Sequence, residues 1–344
     1  MVKKNYQNLF EYYGFVKSDE KKYPVVSRTL KKLTPAKIKK EIKKVKETKL
    51  PQKINLYINQ YQEIGERNYF IWQWLWNMFN ITRLPIVPKK YEQKILELKV
   101  LITMFIILLD DIADKKTSKE FLDALLTIPF KESFSGKIKN QKYFKKTLFL
   151  WKNIMSDVRK LPNYSSYQEI FDYDLRQVVN AMRYSYLVNK DYQLLNKTEC
   201  WQFMPYNMVA LVYSGLDLMC AKRVPDLGAV REIVLYSQKM ARIGNWISTW
   251  EREVFEKDFA NGIFAYALDS GLIKARGLEK IKGHAIIQEI RQSKIEKDLL
   301  KEWEDYLGKI EQKKHKFKNG ELVDQFSLSL EKLIIFHLSS KGYK

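Results

Sequence analysis

Glycine, proline and cysteine are scarce in this chain. Only 13 glycines and 9 prolines occur in 344 residues, and runs in which valine, isoleucine or threonine alternate with polar residues are nearly absent. These features favour helices over sheets. The two cysteines, Cys200 and Cys220, lie in apolar stretches, so we expect no disulfide framework and a reducing, cytoplasmic setting.

Long hydrophobic runs are also missing. The most apolar stretch, residues 100–109, is followed directly by acidic residues, and it is only half as long as the roughly 20 residues that a membrane-spanning helix needs. The start of the sequence, MVKKNYQNLF, contains no apolar segment typical of a signal peptide. We therefore predict no transmembrane segment, and we interpret residues 100–109 as part of a buried helix.

Positive charge is in clear excess. The chain has 61 Lys and Arg against 40 Asp and Glu, a net charge of +21, and residues 1–53 alone contribute +11 (16 basic minus 5 acidic residues). Such an excess suits a polyanionic partner, which can be a nucleic acid, an anionic lipid or a phosphorylated substrate. A lysine-rich solvated surface is the alternative explanation, and we expect no specific nucleic-acid binding.

The segment pattern predicts an all-α protein of ten or more helices. Hydrophobic residues make up 46% and aromatic residues 14% of the chain, which is enough for a large core. Residues 34–51 predict a short basic helix capped by Thr34, residues 203–207 predict a helix break, and residues 256–262 predict a mobile loop. The predicted organisation is a basic N-terminal segment, residues 1–53, packed on one helical domain, residues 54–344.

A first acidic cluster ends the most apolar helix, in the sequence LLDDIADKK. Asp110, Asp111 and Asp114 lie at the carboxyl end of this helix, where the helix dipole is already negative. The three carboxylates also repel one another. A cation between them would remove both problems, although a helix end that meets solvent is the simpler explanation for such a pair.

A second polar cluster lies in the sequence MARIGNWISTWEREVF. Asn245, Thr249 and Glu253 are spaced by four residues, which places them within about 80° of arc on one helix face. Amide, hydroxyl and carboxylate oxygens suit Mg²⁺ or Mn²⁺ rather than zinc. Mg²⁺ usually completes its shell with water and substrate phosphate, so the two clusters together predict a bound diphosphate. Taken alone, each cluster also fits a solvated helix face.

With these two motifs the chain resembles the class I terpene synthases, specifically the compact single-domain type of microbes. DDIAD matches the DDxxD motif of the family, and NWISTWERE matches its motif N-x-x-x-[ST]-x-x-x-E. The resemblance covers roughly residues 60–340 in layout. It implies a helical bundle with a central cavity and a Mg²⁺-dependent lyase that ionises farnesyl or geranylgeranyl diphosphate and cyclises the resulting carbocation.

The resemblance also implies roles for the motif residues. Three Mg²⁺ ions, or Mn²⁺ as a substitute, would be held by Asp110, Asp114, Asn245, Thr249 and Glu253, with Asp111 as a ligand or a neighbour of the ligands. Aromatic side chains would stabilise the carbocation in a dry pocket. The cavity-lining candidates are Trp72, Trp76, Phe79, Phe105, Met204 and Asn207.

The chain departs from the family pattern at three places. Trp246 follows Asn245 where the family often has Asp, and Met204 falls near the position of the diphosphate-sensing Arg. The C-terminal Arg-Tyr pair is also missing, because residues 339–344, SSKGYK, offer only lysines and a tyrosine. The cations expected to bind the diphosphate are instead Arg252, Arg242 and Arg183.

Three other functions compete with this interpretation. Chain-elongating prenyltransferases carry two Asp-rich motifs, and head-to-head condensing synthases carry two D-x-x-x-D motifs, but only one such motif is present here. A non-enzymatic basic protein that binds nucleic acid or membrane would explain the charge and would leave the two oxygen clusters unexplained. A homodimer is compatible with the sequence.

Overall fold

The computed structural model describes residues 8–114, 118–134, 136–224, 226–276, 278 and 283–343, and it describes the side chains in these ranges except those at 114, 139, 140 and 319. Within these ranges the regular structure is entirely helical. The α-helices are α1 (Leu9–Tyr12), α2 (Asp19–Lys22), α3 (Pro24–Lys32), α4 (Pro35–Lys46), α5 (Gln52–Tyr61), α6 (Tyr69–Thr82), α7 (Glu92–Asp114), α8 (Lys119–Leu126), α9 (Lys142–Val158), α10 (Tyr164–Lys190), α11 (Lys197–Phe203), α12 (Ala210–Cys220), α13 (Leu227–Glu256), α14 (Gly262–Asp269), α15 (Gly283–Gln292), α16 (Ile295–Glu311) and α17 (Glu321–Ser339).

Short 3₁₀ helices connect several of these elements. They lie at Lys89–Tyr91, Ile128–Phe130, Lys137–Asn140, Tyr192–Leu194, Met204–Met208, Lys314–Lys316 and Lys318–Gly320. The predicted all-α fold is thereby confirmed. No helix in the described ranges is long and apolar enough to cross a membrane.

Two helices organise the bundle. α13 packs against α12, α14, α15, α16 and α17, and α7 packs against α5, α6, α9 and α10. Each is the centre of one of two hydrophobic clusters that fill the core. Residues 100–109 lie within α7 and are mostly buried, as the sequence predicted.

Local sequence signals set the ends of the important helices. The Thr34 hydroxyl caps α4 by accepting a hydrogen bond from the backbone N–H of Lys37 at 3.3 Å. The Asp226 carboxylate caps α13 in the same way. At its other end α13 stops at Lys257, which adopts a left-handed conformation with φ of 57°. This conformation turns the chain sharply back towards the bundle.

The basic N-terminal segment is part of the packed structure from residue 8 onward. Apolar side chains of α1 and α3 join the hydrophobic cluster around α13 and α16, whereas those of α4 join the cluster around α7. The carboxylate of Glu304 on α16 accepts hydrogen bonds from the backbone N–H groups of Val25 and Val26 at 2.8 and 2.9 Å. The domain boundary at residue 53 stays a prediction.

Candidate active site

A cavity of about 420 Å³ lies between α6 and α7 on one side and α13 on the other. This volume falls within the range of about 300–1,000 Å³ that is usual for small-molecule sites. Its apolar wall comes from one face each of α6 and α7, from the segment before α12, and from one residue each of α12 and α13. The residues of this wall are Ile71, Trp74, Leu75, Met78, Ile106, Ile107, Met208, Val209, Tyr213 and Ala241.

The opposite part of the cavity is strongly polar. It joins the end of α7 to one face of α13 and to two connecting loops. The ionisable and amide side chains of this part are Glu66, Arg67, Asn68, Asp110, Arg242, Asn245, Arg252, Glu253, Glu256 and Asp258, and the hydroxyl of Thr249 lies among them.

The structure therefore brings Asp110 of the first predicted cluster and all three residues of the second to one cavity. Asp110 lines it from α7, and Asn245, Thr249 and Glu253 line it from α13. The Thr249 hydroxyl donates to the backbone carbonyl of Asn245 at 2.9 Å, and Asn261 donates its side-chain N–H to Glu253 at 2.6 Å. The backbone of Asp114 ends α7, but its side chain lies outside the described part of the structure.

Two carboxylates of this cavity, Asp110 and Glu253, hold protons more tightly than usual. Burial is the largest cause and raises the pKa of Glu253 to about 7; Asp258 adds to this shift and Arg252 opposes it. Burial likewise raises the pKa of Asp110 to about 6, with Arg67 opposing the shift and Asp258 adding to it. Because these carboxylates destabilise one another as anions, a cation among them would be stabilised.

Asp258 is a site residue that the sequence interpretation missed. It follows the left-handed Lys257, and its carboxylate accepts hydrogen bonds from the Asn189 side chain at 2.8 Å and from the backbone N–H of Ala260 at 3.2 Å. Residues 258–262 of the predicted mobile loop are therefore held in place against the bundle. Its neighbours Phe259 and Asn261 are 1% exposed, which a mobile loop would not show.

The donor set suits a hard divalent cation. Carboxylate, amide and hydroxyl oxygens line the cavity together, and these are the ligands that Mg²⁺ accepts. In the lining, Oδ1 of Asn207 is a buried acceptor without a hydrogen-bond partner among the described residues. The described residues contain no group of three or more His, Cys, Asp or Glu that could hold a metal ion. The chemistry of the residues present would fit the ion through a mixed set, in which Asn245 and Thr249 would contribute alongside carboxylates.

The predicted arginines occupy different places. Arg242 is buried in the wall and donates to Oδ1 of Asn245 at 3.1 Å. Arg252 also lines the cavity, where its Nε contacts Glu256 at 3.1 Å. Arg183 does not line it: its guanidinium is about half exposed and pairs with Asp123 on α8 at 3.4 Å.

Most of the predicted aromatic wall lies elsewhere. Trp72 packs edge-on against Tyr61, and Phe105 packs against Trp151. Phe79 packs against Tyr213 from behind the wall. These contacts belong to the hydrophobic core, and the partly buried Trp76 packs against that core.

Of the two candidates near the helix break, only one reaches the cavity. Asn207 lines it and donates to the Ser185 hydroxyl at 3.3 Å. Met204 is fully buried behind the wall, and its sulfur accepts from the same hydroxyl at 3.6 Å. Between this break and α12, Val209 adopts a left-handed conformation with φ of 60°, which is strained for a β-branched residue.

Comparison with known proteins identifies solved structures with a similar fold, but no match by sequence. No protein-family model and no curated protein matches the chain. Solved structures do match, and they show that the chain has the class I all-α fold of terpene synthases. The wild-type cucumene synthase structure is similar with a TM-score of 0.52 and 12% identity, covering 90% of this chain and 96% of that chain. A point variant of that synthase gives a TM-score of 0.51 at 12% identity, covering 89% and 94%.

Proposed function

We propose that the protein is a class I terpene synthase, a lyase that ionises an acyclic isoprenyl diphosphate and cyclises the resulting carbocation. The observation that carries this proposal is the shared cavity, in which Asp110 of α7 faces the Asn245, Thr249 and Glu253 set of α13 above an apolar wall. The fold shared with cucumene synthase supports the same reaction class. Farnesyl or geranylgeranyl diphosphate is the proposed substrate.

The polar part of the cavity is proposed to hold the diphosphate together with Mg²⁺. Asp110, Asn245, Thr249 and Glu253, with Asp114, would supply oxygen ligands for three ions, and Mn²⁺ would substitute. Bound Mg²⁺ supplies Lewis-acid stabilisation of the charge that develops on the leaving diphosphate. These residues fix the position of the diphosphate relative to the apolar wall.

Protein cations complete the proposed binding of the diphosphate. Arg242 and Arg252 line the cavity on the same helix as the ligand set. A guanidinium offers a planar fork of N–H donors to phosphate oxygens. The Nε group of Arg242 has no hydrogen-bond partner among the described residues, so a phosphate oxygen would satisfy it.

The apolar part of the cavity is proposed to hold the isoprenyl chain. A carbocation needs a site without water, because one water molecule would quench it. Trp74 lines this part, and its side chain is 4% exposed. An aromatic face stabilises a desolvated cation by about 1–2 kcal/mol.

The competing functions are less well supported. The second cluster on α13 is an Asn, Thr and Glu set, whereas chain-elongating prenyltransferases carry a second Asp-rich motif. A basic protein that binds nucleic acid or membrane has no need of a cavity lined by carboxylates on two facing helices. Sequence-selective DNA binding at physiological salt would favour that alternative.

A product assay tests the proposal directly. The protein is incubated with Mg²⁺ and isoprenyl diphosphates of C10 to C25, and released diphosphate and hydrocarbons are measured. We expect diphosphate release with cyclic hydrocarbons of the same chain length. Longer diphosphates would instead indicate a prenyltransferase, and no turnover of any substrate would refute the proposal.

Matched variants connect this activity to the cavity. Asp110→Asn and Glu253→Gln should abolish turnover and leave the circular dichroism of the helices unchanged. Asp298→Asn, an acidic side chain that is about half exposed, is the control and should keep full activity. Full activity of the two cavity variants, or activity in excess EDTA, would contradict the proposal.

Location and assembly are further parts of the proposal. A cytoplasmic location agrees with two free cysteines that are both buried. A homodimer is proposed from the sequence and is tested by light scattering of the purified protein.

A further inference from the structure

A third arginine, Arg67, lies at the polar end of the cavity opposite α13. It belongs to the loop between α5 and α6, outside both metal motifs. Among the described residues that line the cavity, the arginine and lysine side chains are Arg67, Arg242 and Arg252. Because the other two are on α13, Arg67 is the only one of these three that approaches a bound anion from the side of α7.

Arg67 is held in place by the second aspartate of DDIAD. Its Nε and one Nη donate to Oδ1 of Asp111 at 3.2 and 2.8 Å. A guanidinium carries about five N–H donors, so these two bonds leave donors for a ligand. Asp111 is buried and is not part of the cavity wall, whereas Asp110 is.

Tyr61 also holds Asp111 and Arg67 in position. Its hydroxyl donates to the other oxygen of Asp111 at 3.3 Å and accepts from the backbone N–H of Arg67 at 3.3 Å. Tyr61 is 2% exposed and packs edge-on against Trp72 at 4.9 Å between ring centroids. A Cβ atom at Gly65 would clash with the Tyr61 ring, so the glycine allows the loop to close over the tyrosine.

The charge of Arg67 is secure in this environment. Arginine stays protonated in proteins at ordinary pH, and one Nη of Arg67 lies 2.8 Å from Oδ1 of Asp111. The guanidinium is therefore a fixed positive charge close to Asp110 before any ligand arrives. A donor that is already oriented loses less entropy on binding than a mobile side chain does.

Neither Met204 nor Lys341 supplies a cation to the cavity. Met204 lies behind the wall, as described above. Near the C-terminus, Lys341 pairs with Glu251 and Glu296 at 3.1 and 3.0 Å, and none of these three residues lines the cavity.

We propose that Arg67 binds the diphosphate of the substrate, and that Asp111 and Tyr61 act as positioning residues for Arg67 rather than as metal ligands. This inference rests on the proposed function. It assigns the two adjacent aspartates different roles: Asp110 faces the cavity, and Asp111 orients the cation that meets the diphosphate.

Binding of inorganic diphosphate tests the inference without turnover. The dissociation constant is measured by calorimetry in excess Mg²⁺ for the full chain and for the variants. We expect Arg67→Gln to weaken binding at least tenfold and Arg67→Lys to weaken it less, since lysine keeps the charge and loses the fork. Arg28→Gln removes an ion pair with Glu331 at 2.9 Å, neither residue lines the cavity, and this variant should bind like the unchanged protein.

A double-variant comparison separates positioning from metal binding. If Asp111 acts only through Arg67, the single variants Asp111→Asn and Tyr61→Phe should each weaken diphosphate binding. The double variant Arg67→Gln with Asp111→Asn should then bind diphosphate as tightly as Arg67→Gln alone. Binding of Mn²⁺ in the absence of diphosphate, measured by electron paramagnetic resonance, should be unchanged in Asp111→Asn. Loss of Mn²⁺ binding in this variant would show that Asp111 is a ligand.

The outcomes distinguish this inference from the function on which it rests. If the unchanged protein binds no diphosphate in Mg²⁺, the proposed function fails. If it binds and Arg67→Gln binds equally well, only the assignment of Arg67 is overturned. Thermal unfolding of each variant confirms that the folded state is being compared, and Arg67→Lys provides the test if Arg67→Gln does not fold.

Discussion

A fully buried ion pair between α7 and α12 leads to a quantitative prediction. Lys99 on α7 and Asp217 on α12 have side chains that are 2% and 1% exposed, and the Lys99 Nζ lies 2.8 Å from both carboxylate oxygens. At this distance and an effective dielectric constant of about 20, their attraction is roughly 6 kcal/mol. Desolvation costs several kcal/mol for each ion, so the pair contributes little net stability.

Removal of one partner has a much larger effect than removal of both. Lys99→Met leaves a buried carboxylate without its cation, which we expect to cost about 3–5 kcal/mol, a large part of a typical unfolding free energy of about 5–15 kcal/mol. Lys99→Met with Asp217→Asn should recover at least half of this loss. An asparagine can still accept the hydrogen bond that Leu84 N–H donates to Asp217 at 3.0 Å.

Urea unfolding followed by circular dichroism measures these free energies. Lys53→Met is the control, because Lys53 pairs with Asp157 at 2.6 Å but is 38% exposed, and half-exposed pairs contribute about 0–1 kcal/mol. A Lys99→Met variant as stable as Lys53→Met would refute the reasoning. A double variant as unstable as the single one would refute it as well.

Three further predictions concern pH, the end of α13 and a close helix contact. In EDTA, the pKa values of Asp110 and Glu253 are about 6 and about 7, which is higher than the pKa values of carboxyls in the unfolded chain. Protonation of these two carboxyls therefore stabilises the folded state at pH 4, and this stabilisation is lost as the pH rises to about 7. The melting temperature of Asp110→Asn with Glu253→Gln should depend less on pH, and identical profiles would contradict this. Lys257→Gly should stabilise the protein by about 0.5–1 kcal/mol in urea unfolding, because glycine adopts positive φ without strain; Lys257→Ala is the control, and an equal gain there would argue against the explanation. Gly244→Ala should cost about 1–3 kcal/mol, since its Cβ would lie 2.8 Å from Cγ of His337, and an unchanged urea midpoint would exclude that clash.

The sequence predicted the helices and the two polar clusters because both depend on local spacing. Asn245, Thr249 and Glu253 lie on one face of any α-helix that contains them. A capping residue and a helix break, such as those at Thr34 and near Met204, are local features as well. Their positions along the chain therefore follow from short-range rules.

The wall of the cavity depends on long-range packing and could not be predicted in this way. Helix α6 is apolar almost all round, so its periodicity does not distinguish the face that meets the cavity from the face that meets the core. The structure turns Trp74 and Met78 to the cavity and Trp72 to the core. Arg67 and Asp258 belong to loops without a motif, and only the folded chain shows that they reach the site.

The hydrogen bonds between Glu304 and the start of α3 also constrain the timing of folding. Val25 and Glu304 are 279 residues apart. A ribosome that adds about 5–20 residues per second needs roughly 14–56 s to make the intervening chain. During this time the apolar faces of α1 and α3 have not met α16, although the cluster around α7 can already begin to assemble. Helices α1 and α3 therefore dock on α16 only after this interval, and their exposure to chaperones and proteases until then is set by the rate of translation.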